Sequence, residues 1–232
     1  MRITHVSLPV RAADEWLAFF SDVLGAPRAR PDASPTVHVG TSTVDFRQDA
    51  GQQGDHHLAF AIPEAQLDEA KEWLDRRAAL LLVDGADEVE CSPAWDAHSV
   101  YFDGPDGSVL EFIARRALPH GVPGPFTASD IVDVSEVGMT APSVPATARD
   151  LSTSAGVGPY GGEPGPTFAP VGTVEGLLIL VAEGRTWFPT DDRTAAASAI
   201  AVHAVGGRPG RYGIGGSTLI LTPGDWEGLR EE

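Results

Sequence analysis

The chain is poor in cysteine, in basic residues and in long apolar runs. Its 232 residues include one cysteine, Cys91, which excludes an intramolecular disulfide and any cysteine-rich metal site. Lys and Arg total 16 against 33 Asp and Glu, for a net charge of −17. That balance argues against a nucleic-acid partner, because phosphate binding needs clustered cations. It equally disfavours an anionic membrane surface. The longest aliphatic run, residues 177–182, is far too short to span a bilayer. The opening Met1-Arg2-Ile3-Thr4-His5 lacks the apolar core of a signal peptide. The expectation is a cytoplasmic protein whose partners are small molecules or other proteins. Hydrophobic content of 42% and charged content of 21% are ordinary globular values, and the length suits one large domain or two small ones.

What the sequence does contain is a repeat. Residues 5–10, His-Val-Ser-Leu-Pro-Val, alternate with Val6, Leu8 and Val10 on one face, the pattern of a half-buried strand. Residues 57–62, His-Leu-Ala-Phe-Ala-Ile, repeat the pattern in phase, and residues 136–141 keep the apolar phase with Glu136 in the histidine position. Each strand leads into a helical pattern, over residues 12–24, 63–80 and 146–155. The first stops at Gly25-Ala26-Pro27, and the second opens with Pro63 and carries Leu67, Ala70 and Leu74 on one stripe. Short strand patterns follow, at 36–39 and 43–47, at 81–89, 99–102 and 108–114, and at 167–171 and 176–181. Asp103-Gly104-Pro105-Asp106-Gly107 supplies a hairpin turn. Residues 199–205 and 217–222 then follow with no helix between them.

The predicted fold is α+β, built from βαβββ units that pair into a curved mixed sheet around a cleft, with a third unit and a helix-less partial fourth. Residues 1–117 are expected to form one complete pair. Residues 118–130, where Pro and Gly cluster, are expected to be a linker, and 131–232 to hold the third unit and the truncated fourth, ending in a frayed acidic tail over 225–232. If Val6, Leu8, Leu58 and Phe60 face the helices, His5 and His57 face the cleft. Glu111 shares a strand face with Val109 and Ile113 and can join them. Two histidines and a carboxylate form a facial set that leaves metal positions open to substrate. The bland alternative is three unrelated strand residues, but matching phase at equivalent positions favours the metal. His56 points away from His57, so it is read as structural. His203 is read the same way, and Glu136, with no histidine in its own half, as a relic or polar residue.

Residues 5–10, residues 57–62 and the run Tyr101-Phe102-Asp103-Gly104-Pro105-Asp106-Gly107 through Glu111 resemble the vicinal oxygen chelate superfamily. That superfamily includes glyoxalases, extradiol ring-cleaving dioxygenases, fosfomycin-resistance enzymes and bleomycin-resistance proteins. The similarity is strong over residues 1–115. It implies a divalent metal (Fe, Mn, Zn or Ni) on His5, His57 and Glu111, with Asp45 in the place of a frequent fourth ligand. It also implies a small substrate that chelates the metal through vicinal oxygens.

The member reactions divide as follows. Tyr101, Pro105 and Gly107 before Glu111 match the extradiol pattern, with Tyr101 as the catalytic candidate, but Ser92, Pro93 and Ala94 stand where a supporting histidine is wanted. Asp84 to Glu90 is acidic, against a phosphonate site. Asp45 only partly meets the glyoxalase pattern. Ser7, on the face of His5, is the expected substrate-orienting residue. The reading is a metal-dependent dioxygenase or lyase. The rival is a non-catalytic, antibiotic-sequestering protein of the bleomycin-resistance type, for which the charge and Trp73, Trp95 and Trp187 would suit a cationic ligand. A regulatory or dimer-forming second half, and with it a homodimer, is compatible with either.

Overall fold

The computed structural model describes residues 1–29 and 35–224; the tail 225–232 lies outside the described residues. The first unit runs β1 (Arg2–Val10), α1 (Ala13–Ala18), β2 (Thr36–Val39) and β3 (Ser42–Gln48). The second runs β4 (His57–Ala61), α2 (Leu67–Asp75), the two-residue strands β5 (Leu80–Leu81) and β6 (Val89–Glu90), β7 (Ala97–Asp103) and β8 (Val109–Arg115). The third has β9 (Asp133–Thr140), α3 (Val144–Asp150), β10 (Phe168–Thr173) and β11 (Gly176–Val181), and a helix-less remnant has β12 (Ala201–Val205), β13 (Gly210–Ile214) and β14 (Ser217–Thr222).

The elements follow from local pattern. Alternation along β1 buries Val6, Leu8 and Val10 completely and leaves His5 and Ser7 half-buried on the opposite face. Helix α1 passes into a π-helical turn over Phe19–Val23 and stops where Gly25 takes φ +64, a conformation natural to glycine. Helix α2 buries Ala70, Trp73 and Leu74. It ends at Asp75 rather than near residue 80, because no large apolar residue follows Leu74 until Leu80 enters β5.

In each unit and in the remnant the first strand lies parallel to the last: β1 with β3, β4 with β8, β9 with β11, β12 with β14. These form two mixed sheets, one ordered β13-β14-β12-β1-β3-β2 and the other β10-β11-β9-β4-β8-β7-β5, with β6 also on β7. The seams are antiparallel, β1 against β12 and β4 against β9. The expected pairing of the first unit with the second is thus corrected: the first pairs with the remnant, and the second with the third. Strand phase decides which face a residue takes; it does not decide which neighbour takes the free strand edge.

The connection over 118–130 helps to decide the neighbour. The Ala65 amide donates to the His120 carbonyl, and buried Phe126 packs on Trp73 and Phe112. The segment therefore folds back along the second unit and delivers β9 beside β4. One main core lies under both sheets. Phe20 joins them, its ring 4.9 Å from Phe46 of the first sheet and 5.8 Å from Phe60 of the second. Truncating so buried a ring costs about 3–5 kcal/mol. Buried His56 faces this side too, its Nε2 2.7 Å from the Pro9 carbonyl oxygen, consistent with a structural role. Burial pushes its pKa down to about 4.

Candidate functional site

The opposite face of the second sheet carries the polar cluster. Ala59 of β4 is in register with Glu111 of β8 on one side and with Glu136 of β9 on the other. His57 is two residues earlier on the same face. Both carboxylates therefore flank a small residue and reach toward the imidazole: His57 Nε2 is 3.6 Å from Glu111 Oε2 and 3.8 Å from Glu136 Oε2. All three side chains are buried, and one ligand atom from each lies within 4.8 Å of the others.

Each member is held through its other polar atom. Ser99 Oγ donates to Glu111 Oε1 at 2.6 Å. The fully buried Arg115 guanidinium donates to Glu136 Oε1. His57 Nδ1 lies 3.1 Å from the Val109 carbonyl oxygen and can only donate to it, which turns Nε2 inward. Trp187 stacks on the imidazole at 5.3 Å, with 27° between the planes. That contact depends on Gly138 of β9, where a Cβ would stand 2.5 Å from the Trp187 ring and 3.1 Å from His57 Cβ.

Trp187 comes from the connection between β11 and β12, which folds over the sheet and is pinned there. Its Nε1 donates to the Asp55 carbonyl at 2.7 Å, the Thr194 amide donates to Asp55 Oδ2 at 2.8 Å, and Arg193 pairs with Asp103 at 2.5 Å. Beneath this cover is a cavity of about 380 Å³, with the cluster in its wall and aromatic side chains around it, Trp95, Tyr101, Phe168, Trp187 and Phe188.

Burial and the neighbouring Glu136 charge push the Glu111 carboxyl up to about 7. Burial opposes the His57 imidazolium, but hydrogen bonding to Glu136 and the charges of both carboxylates more than offset it, and its pKa is raised. Burial and the same carboxylates drive the Tyr101 phenol well above its ordinary value. Two acids gathered in a low-dielectric wall favour a cation beside them. The donor set fits a divalent ion: one imidazole nitrogen and two carboxylate oxygens, each oriented by a second hydrogen bond of its side chain.

The structure brings together two of the three sequence-expected ligands, His57 and Glu111, and supplies Glu136 as the third donor. His5 is a correction: it lies on the first sheet, its Nδ1 2.9 Å from Thr43 Oγ1 and its ring edge-on to His203 at 5.2 Å. Ser7 goes with it, donating to Asp45 Oδ2 at 3.1 Å, so neither Ser7 nor Asp45 borders the cluster. The cause is the strand pairing, which puts β1 and β4 in different sheets. Tyr101 does line the cavity, directly across from Glu111 in the β7–β8 register. The residues missed were Glu136 and Trp187. The first carried a signal, its alignment with His5 and His57. The second, in an irregular loop 130 positions from His57, carried none.

No family model and no curated protein matches the chain. Solved structures match it in fold. A candidate dioxygenase from Bacillus subtilis superposes with a TM-score of 0.56, covering 88% of this chain and 70% of its own, at 20% identity. A variant of glyoxalase I from Zea mays gives 0.54 over 87% of this chain and 74% of its own, at 14% identity. A second variant of the maize enzyme gives 0.51 over 87% and 75%, at 13% identity. The likeness covers most of the chain and is one of fold: a mixed α+β architecture with two mixed sheets, as in glyoxalase I.

Proposed function

We propose that His57, Glu111 and Glu136 hold a divalent cation, and that the protein is a metal-dependent enzyme acting on a small molecule that binds the ion through neighbouring oxygens, in a dioxygenase-like or lyase-like reaction. One observation carries this reading: three ligand atoms from β4, β8 and β9 converge in the wall of a covered cavity, each backed by its own hydrogen bond. A bound Fe, Mn, Zn or Ni ion would polarise the substrate oxygens and stabilise negative charge on them.

The chain's own residues do the rest. Ser99 and Arg115 fix the carboxylates. Trp187 and the pinned connection behind it cover the imidazole. Tyr101 stays protonated at neutral pH and offers an O–H donor beside Glu111. The cavity volume suits a small organic molecule, and the −17 charge disfavours nucleic acid. Among the described residues no helix is long and apolar enough to cross a membrane.

The test is metal analysis of untagged protein prepared without chelators and then supplied with each ion in turn. About one equivalent is expected in wild type, with affinity lower by more than about a hundredfold in His57→Ala. No uptake by wild type rejects the reading. The aromatic lining around two buried acids favours one rival, a binder of organic cations. Tight binding of an aromatic cation by metal-free protein, with no metal uptake, would establish that rival instead.

A further inference from the structure

The cavity has a second charged feature away from the cluster. Arg185, in the connection that carries Trp187, lines the same cavity and lies over the Phe168 ring, 4.9 Å from its centroid. Its guanidinium is half-buried and donates to the Thr186 carbonyl at 3.1 Å. Among the described residues it has no carboxylate within ion-pair distance, although the chain carries 33 acids. The other acid of the lining, Glu90, is 3.6 Å from Arg116. A guanidinium set against an aromatic face keeps its fork of donors free for a planar anion.

The lining thus has three chemistries: a buried pair of carboxylates with a histidine, a set of aromatic faces and edges, and an arginine with no carboxylate partner among the described residues. We infer that the ligand is an aromatic carboxylate, its ring held among Trp95, Phe168 and Phe188, its carboxylate received by Arg185, and its oxygen pair directed to the His57–Glu111–Glu136 cluster. The orientation rests on the function proposed above; the role of Arg185 does not. A ligand with no anionic group would leave a partly desolvated cation unanswered, whereas a carboxylate gives it charge-assisted, bidentate hydrogen bonds.

The experiment compares catechol with 3,4-dihydroxybenzoate by quenching of tryptophan fluorescence, on protein loaded with redox-silent Zn(II). Wild type should bind the carboxylate roughly tenfold or more tightly than catechol. Arg185→Gln should abolish that preference while keeping its metal content and melting temperature, and Arg185→Lys should restore part of it. Equal affinity for the two ligands in wild type, or a preference that survives in Arg185→Gln, overturns the inference. A metal-free comparison of benzoate with benzyl alcohol separates the two proposals. Should the cluster hold no metal, benzoate must still bind better, and that advantage must still vanish in Arg185→Gln. Equal binding of benzoate and benzyl alcohol by wild type would overturn the arginine's role.

Discussion

The two sheets present the same scaffold with different outcomes. Register matches His5 to His57, Asp45 to Glu111 and Ser7 to Ala59, because Ser7 pairs with Asp45 as Ala59 pairs with Glu111. Across the seams, Ser7 faces Ala201 where Ala59 faces Glu136. The first sheet therefore keeps a histidine and a shorter acid but has a methyl group in place of the third donor. It also has His203 where the second sheet has Gly138, which fills with an imidazole the room that glycine leaves for Trp187. One face became a partly roofed cavity with a buried cluster in its wall; the other stayed an open polar surface with His5, Ser7 and Asp45 half-exposed. Histidine and acid at matching register therefore do not by themselves gather a cluster of three donor atoms. A third donor and a roof complete the arrangement, and both depend on single residues.

The largest test of this contrast removes the third donor. Glu136→Gln keeps the side-chain shape but removes its charge, and should weaken metal binding by about a hundredfold or more in calorimetric titration. His5→Ala, at the matching position of the first sheet, should change it less than twofold. Equal losses in the two variants would show that the sheets are not distinct in this way.

A smaller effect is expected at the roof. Gly138→Ala forces a methyl group into the Trp187 ring and the His57 Cβ. Overpacking of this kind costs about 1–3 kcal/mol, measurable by urea denaturation. Trp187 fluorescence should shift as the ring lifts from His57. His203→Ala, at the matching position, should cost less than about 1 kcal/mol and leave that emission unchanged.

The smallest effect is on pH. Glu111 with a pKa of about 7 holds a proton below neutrality that an incoming cation must expel. Metal affinity should therefore rise with pH, by at least about tenfold from pH 6 to pH 8, with the raised His57 imidazolium, which must also lose its proton, adding to the slope. A flat or falling profile would show that Glu111 does not take up the ion as a carboxylate.

Much of this was legible in the residues. Period-2 alternation placed β1, β4 and β9, set His57 and Glu111 on one face, and revealed the helix-less remnant. The third member of the cluster is visible as Glu136 in the histidine phase, but with no histidine in its own half it reads as a relic or a polar residue. Alternation carries no information about edges. The choice of partner rests on the 118–130 segment, where Phe126 packs on Trp73 and the chain turns back along the second unit. The roof was hidden for another reason: Trp187, Arg185 and Asp55 lie in irregular segments, where no period links residues that end up in contact.

The seam between β1 and β12 also sets an order of events during synthesis. His5 pairs with His203 and Arg2 with Val205, so β1 meets its neighbour β12 almost 200 residues further along the chain. Until then β1 has β3 along one side only, and its other backbone edge is bare. Contacts so distant in sequence slow folding, and an unpaired strand edge invites association with other nascent chains. The cluster escapes this delay, because β4, β8 and β9 all lie between residues 57 and 140. The face that bears the candidate chemistry can take shape while the other sheet still waits for its last strands.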